Sequence, residues 1–217
     1  MKIALYQGPG CVNDLEAGFA HLRAQAVSAK AQGADLLILP EMYLSGYNIG
    51  PQAALALAIP QSGLAPAQAA AADLNIALVF GYPELVAGQV ANAAVLIGPD
   101  GRILLNYRKT HLFGDLDRDM FKQRGQDFPV AELGGLKIGL LICYDIEFPE
   151  PARTLALAGV DLLLVPTAQM EPYEQVARHV IPARAYENQV YLAYANHSGA
   201  ENGLGYIAVS YTHLRAH

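Results

Sequence analysis

The chain predicts an α/β fold in which mixed β-sheets are covered by helices. Three observations carry that prediction. Short, continuous apolar runs such as LLILP (36–40), IGLLI (138–142) and LLLVP (162–166) read as strands buried on both faces. Between them lie helix-type runs, the longest being the Ala-rich stretch from Asp14 to Gln32. The turn signal PDG (99–101) sits between two apolar runs and predicts a hairpin, so at least one sheet contains antiparallel neighbours.

In order, strands are expected at Met1–Tyr6, Asp35–Leu39, Ile76–Tyr82, Val90–Ile97, Ile103–Arg108, Leu136–Ile142, Asp161–Val165 and Val190–Asn196. Helices are expected over Asp14–Gln32, ended near Gly33, and over Gln68–Asp73, 148–159 and Tyr173–Asn188. No internal repeat and no linker rich in Pro, Gly or Ser divides the chain, so residues 1–208 form one expected domain. The last nine residues, VSYTHLRAH (209–217), turn polar and basic after a loop entering a strand. They read as a truncated or foreign tail.

Composition narrows the function. At 217 residues and 53% hydrophobic, the chain can bury a sizeable core. A formal net charge of -6 without a Lys/Arg run argues against nucleic acid and anionic membranes as partners. No run of apolar residues is long enough to predict a transmembrane helix. MKIALYQGPG reads as a first strand, not a signal peptide. Cys11 and Cys143 are too few for a disulfide framework, so a reducing, cytoplasmic setting is expected.

Three segments share one form, an apolar strand ending in a reactive side chain: LLILPE (36–41), LLNYRK (104–109) and IGLLIC (138–143). In α/β folds, ligands gather at strand ends. Each residue alone has an ordinary alternative: Cys143 as a buried structural thiol, Glu41 as a solvated acid or cap, Lys109 as a surface lysine. Together they form a chemically sufficient set. Cys143, on a strand-to-helix turn opening near Phe148, is the candidate nucleophile. Glu41 is the candidate base, since no Cys–His pairing stands out. Lys109, with backbone N–H groups, supplies charge where an oxyanion develops.

These residues resemble the nitrilase superfamily of carbon–nitrogen hydrolases. LPEMYLSGY (39–47) resembles its glutamate motif, YRKTHLF (107–113) its lysine motif and GLLICYDIEFPE (139–150) its cysteine motif; ARAYENQVYLAYANHSG (183–199) fits downstream. The resemblance implies a four-layer αββα sandwich with two mixed sheets and a Glu41–Lys109–Cys143 triad that needs no metal or organic cofactor. It implies hydrolysis of a small amide through a thioester, with the Tyr144 backbone N–H at the oxyanion. CYDIEFPE with QMEPY (169–173) is closest in texture to the amidase branch. An N-carbamoyl hydrolase, a nitrilase or a truncated, non-catalytic binding module are the alternatives.

Two departures matter. Where many members carry a second glutamate about eight residues after the lysine, this chain has Asp117, one methylene shorter, with Asp115 and Asp119 as substitutes in a shifted register. Members usually also continue for several dozen residues past GLGYIA, residues that often serve homo-oligomer contacts. Tyr47 and the segment QMEPY (169–173), with Tyr173 at its end, are expected to line or border the substrate pocket. Arg184 and Glu187 are expected to pair on one helix face or to hold the loop after Cys143.

Overall fold

The computed structural model describes residues 1–213, with the His213 side chain left aside. Twelve strands are described: β1 (Ile3–Leu5), β2 (Leu36–Ile38), β3 (Ala77–Val86), β4 (Gln89–Ile97), β5 (Ile103–Arg108), β6 (Val130–Leu133), β7 (Leu136–Leu140), β8 (Leu162–Thr167), β9 (Tyr191–Asn196), β10 (Ala200–Glu201), β11 (Leu204–Gly205) and β12 (Tyr211–His213). The helices are α1 (Leu15–Ala31), α2 (Pro51–Ala56), α3 (Ala65–Leu74), α4 (Gly114–Met120), α5 (Pro149–Leu157) and α6 (Ile181–Asn188).

Two five-stranded sheets, ordered β1-β2-β3-β4-β5 and β12-β9-β8-β7-β6, pack face to face. Each is mixed: β1, β2 and β3 run parallel, as do β7, β8 and β9, while the remaining neighbours are antiparallel. Strand β2 shows why the apolar runs lack alternation. Leu36 and Ile38 point between the sheets, whereas Leu37 points outward to α1 and α3. On the far side, Gly139 and Leu163 lie against Leu155 of α5. The layers are therefore helix, sheet, sheet, helix.

Local chemistry sets the boundaries. Asp14 caps α1 by accepting from Ala17 N–H at 3.0 Å. The PDG hairpin forms as expected, with Gly101 at φ +81° donating to the Gly98 carbonyl. β3 runs four residues beyond its expected end at Tyr82, through Pro83, because beyond Val79 it no longer pairs with β2 and the missing proline N–H costs no ladder bond. It turns at Ala87 and Gly88, both at positive φ. The expected helix over Tyr173–Asn188 begins instead as a π turn, Val176–Val180, before α6. Pro182 has no N–H to return to the preceding turn, and the Ile181 N–H reaches back five residues to Val176.

Tyr211–His213, within the segment expected as a tail, pairs antiparallel with β9 along the sheet edge. Residues 214–217 lie outside the described residues. Among the described residues, no helix is long and apolar enough to cross a membrane.

Candidate active site

The three reactive strand ends belong to both sheets, and their positions follow from local geometry. Glu41 follows β2 in a tight turn whose next residue, Met42, has φ +49°. That turn rests on β3 at Gly81. A Cβ there would sit 2.2 Å from Met42 N and 2.7 Å from Glu41 Cα, so only glycine lets the backbones approach. Lys109 follows β5. Cys143 opens a 3₁₀ turn, Cys143–Glu147, directly after the β7 segment. This turn, not the helix at Phe148, presents the thiol. Cys143 itself is at φ +44°, a strained conformation for a non-glycine residue.

Lys109 is fully buried, and its Nζ donates to Glu41 Oε1 at 2.8 Å and to Asp117 Oδ2 at 2.7 Å. Aspartate therefore reaches the lysine despite its shorter side chain. It does so because residues 114–120 form α4 and turn Asp117 inward while Asp115 and Asp119 stay exposed. Phe113 N–H (2.8 Å, to Oδ2) and the Tyr47 hydroxyl (2.6 Å, to Oδ1) fix the Asp117 carboxylate. Asn92, on β4, donates to Glu41 Oε1 at 2.7 Å. Glu41 Oε2 is buried and has no hydrogen-bond partner among the described residues.

Electrostatics follow from burial and this pairing. Burial opposes the Lys109 charge, but Asp117 and Glu41 outweigh it and hold its pKa well above the usual lysine range. Burial raises Glu41, with Lys109 pulling the other way. Burial and the Glu41 charge push the Cys143 thiol well above its ordinary value, while Lys109 partly offsets them. Burial and the Glu41 carboxylate thus favour the neutral thiol over the thiolate.

The cysteine turn is tied to the lysine turn by a single buried carboxylate. Asp145 Oδ1 accepts from Thr110 Oγ1 (2.8 Å) and His111 N–H (2.9 Å), and Oδ2 from Tyr107 hydroxyl (2.9 Å) and Ile142 N–H (3.1 Å). Arg184 clamps the same turn from α6, donating to the Ile146 and Glu147 carbonyls, and pairs with Glu187 at 2.9 Å. The segment after β9 holds the glutamate side. His197 Nε2 lies 2.6 Å from the Glu41 carbonyl, and Glu201 Oε2 accepts from the Tyr47 and Asn48 N–H groups.

A small cavity opens onto Cys143, lined by Tyr47, Phe113, Glu147, Ala168, Gln169, Met170 and Tyr173. Tyr47 lines it with its ring, since its hydroxyl is engaged by Asp117. Tyr173 is 40% exposed at the rim. The Tyr144 ring packs edge-on against Phe113 and Phe148 and is not among the lining side chains, leaving its backbone as the contribution to consider. Sequence reasoning missed Asn92, Asp145 and Glu147, whereas Gln169, Met170 and Tyr173 of the QMEPY segment line the cavity. Only Asn92 carried a local signal, a lone amide inside the apolar run VANAAVLI. Among the described residues, no group of three or more His, Cys, Asp or Glu side chains is placed to hold a metal ion.

Fold and site together define a class, a helix-covered double sheet that gathers Glu, Lys and Cys at its strand ends. The chain belongs to the carbon–nitrogen hydrolase family, whose model matches residues 2–213. It is 53% identical over 213 residues to a protein of Pseudomonas protegens named "Hydrolase in pqqF 5'region", covering 97% of this chain and 74% of that one. An (R)-stereoselective amidase of a Pseudomonas sp. is 40% identical over 207 residues, covering 94% of this chain and 74% of the relative. Among solved structures, the amidase of Nesterenkonia sp. AN1 superposes with a TM-score of 0.91 at 36% identity, covering 98% of this chain and 84% of that one. A further structure of that amidase carries acrylamide added at its active-site cysteine, with a TM-score of 0.88 at 34% identity, over 98% of this chain and 84% of that one.

Proposed function

We propose that this chain hydrolyses a small amide to a carboxylate and ammonia through a thioester on Cys143. The observation that carries the reading is the asymmetry of Glu41. One oxygen is held by Lys109 and Asn92, while the other is buried without a hydrogen-bond partner among the described residues and is the one available to take a proton. As the amide enters, Glu41 Oε2 accepts the Cys143 proton and the sulfur attacks the carbonyl carbon. Lys109 and the Tyr144 N–H stabilise the oxyanion, and Asp117 keeps the ammonium aligned. Glu41 then returns the proton to the leaving nitrogen and ammonia departs. Water, deprotonated by Glu41, attacks the thioester; the carboxylate leaves and the thiol is restored. Tyr47 and Tyr173 serve as walls for the acyl group.

Relatives support this reading by their names and ligands. One is an (R)-stereoselective amidase, and the Nesterenkonia sp. AN1 amidase has been solved with butyramide. The test is ammonia release from short amides, nitriles and carbamoyl amino acids by the native chain and by Cys143→Ala. Amide turnover that disappears in the variant is the expected result. Turnover surviving the substitution would remove Cys143 as nucleophile, and turnover of nitriles alone would replace the amidase reading.

A further inference from the structure

Glu147 is a carboxylate that the mechanism above does not use. It lies four residues after Cys143, at the end of the same 3₁₀ turn, and lines the same cavity. Its backbone is fixed, because Arg184 donates to its carbonyl at 2.7 Å. Its side chain is not. Among the described residues, no side-chain or backbone donor reaches the Glu147 carboxylate, and no Lys, Arg or His forms an ion pair with it. The Arg184 charge is directed to Glu187 at 2.9 Å. The cation whose field reaches Glu147 is Lys109, which is already bound by Glu41 and Asp117.

A half-buried carboxylate without a counter-ion is costly, and burial raises its pKa accordingly. Among the described residues, the site holds three carboxylates, Glu41, Asp117 and Glu147, against the Lys109 ammonium. The cavity that Glu147 lines is also lined by the rings of Tyr47, Phe113 and Tyr173, the last two edge-on with centroids 6.1 Å apart. Negative charge bordered by ring faces is the environment that attracts an organic cation.

We propose that Glu147 selects amides bearing a protonated amine a few atoms from the scissile carbonyl, the ammonium pairing with its carboxylate against the Phe113 and Tyr173 rings. This rests on the amidase reading and adds the substrate's charge to it. The pairing supplies the missing partner of Glu147 and disfavours amides that carry a second carboxylate.

The test compares isosteres in which an ammonium replaces a methyl group: β-alaninamide with butyramide, and glycinamide with propionamide, with succinamic acid as the anionic amide. The native chain is expected to favour the ammonium member of at least one pair in kcat/KM by about tenfold, the effect of one charge-assisted hydrogen bond. Succinamic acid should be the poorest substrate. In Glu147→Gln the ratio within that pair should fall toward one, and in Glu147→Lys succinamic acid should gain on β-alaninamide. The native ratios alone test the proposal if either variant folds poorly. Equal or reversed ratios in the native chain, or a ratio unchanged in Glu147→Gln, would overturn the inference while amide turnover kept the amidase reading. No turnover of any of the five amides would overturn both.

Discussion

The glutamate–lysine side of the site and the cysteine side are built on different terms. On the first, Glu41, Lys109 and Asp117 are fully buried, and Asn92, Tyr47 and the Phe113 N–H add further hydrogen bonds. On the second, the Cys143 sulfur lies 3.9 Å from Gln169 Oε1 and within reach of Thr167 and the Ala168 backbone, and the Glu147 carboxylate lines the cavity with no hydrogen-bond or ion-pair partner among the described residues. The first side is a charge array whose hydrogen bonds and ion pairs are already made within the chain. The second leaves its valences for the substrate to fill. Substitutions on the two sides should therefore separate stability from activity.

The largest contrast is between Lys109→Met and Cys143→Ala. Both should abolish measurable turnover. Lys109→Met leaves two buried carboxylates without their cation and should cost about 3 kcal/mol or more in urea unfolding. Cys143→Ala should change stability by less than about 1 kcal/mol. Equal stability losses would break the comparison. Next, Gly81→Ala drives a methyl into the backbone of Glu41 and Met42, and should cost about 3 kcal/mol together with most of the activity. A fully active, equally stable variant would show that the close approach does not set Glu41.

Asp117→Asn should lower kcat by about tenfold to a hundredfold while the chain stays folded, since Lys109 keeps Glu41 but loses a charge-assisted bond. An unchanged rate would place Asp117 outside the working set. A smaller effect is expected in the pH profile. Glu41 must be ionised to act as base, and its pKa lies above the ordinary glutamate value because it is buried. The acidic limb of kcat/KM should therefore fall at a higher pH than an ordinary glutamate would give. The Asn92 hydrogen bond favours the ionised form, so Asn92→Ala should move the limb to still higher pH. A downward move would contradict the assignment of Glu41. The smallest effect is expected at the rim, where Tyr173→Ala should raise KM by about threefold, one lost hydrophobic contact, with stability unchanged.

Much of this was legible in the chain because strand ends are written locally. A buried apolar run must stop, and Glu41, Lys109 and Cys143 stand at three such stops. The fold class followed from the same runs. The resemblance extended the reading to the four layers, through motifs that match over several residues each. What stayed illegible depends on direction. Whether Asp117 faces inward is decided by the seven-residue α4, whose sequence GDLDRDM reads equally as an acidic loop. Glu147 enters the cavity only because Cys143 starts a 3₁₀ turn, where expectation put the helix at Phe148. The short strands β6 and β10 to β12 carry too few residues to show a period of two. Asn92 is different. A lone amide in a buried strand needs a partner, and that requirement was a local signal that could have singled it out.

The measurement that tests the central claim most directly is mass spectrometry of the chain quenched in acid during turnover of butyramide. A mass increase equal to the butyryl group on the peptide containing Cys143, absent in Cys143→Ala, is the predicted result. Steady ammonia release with no adduct under any quench time, or an adduct on another residue, would contradict the thioester route and the role given to Cys143.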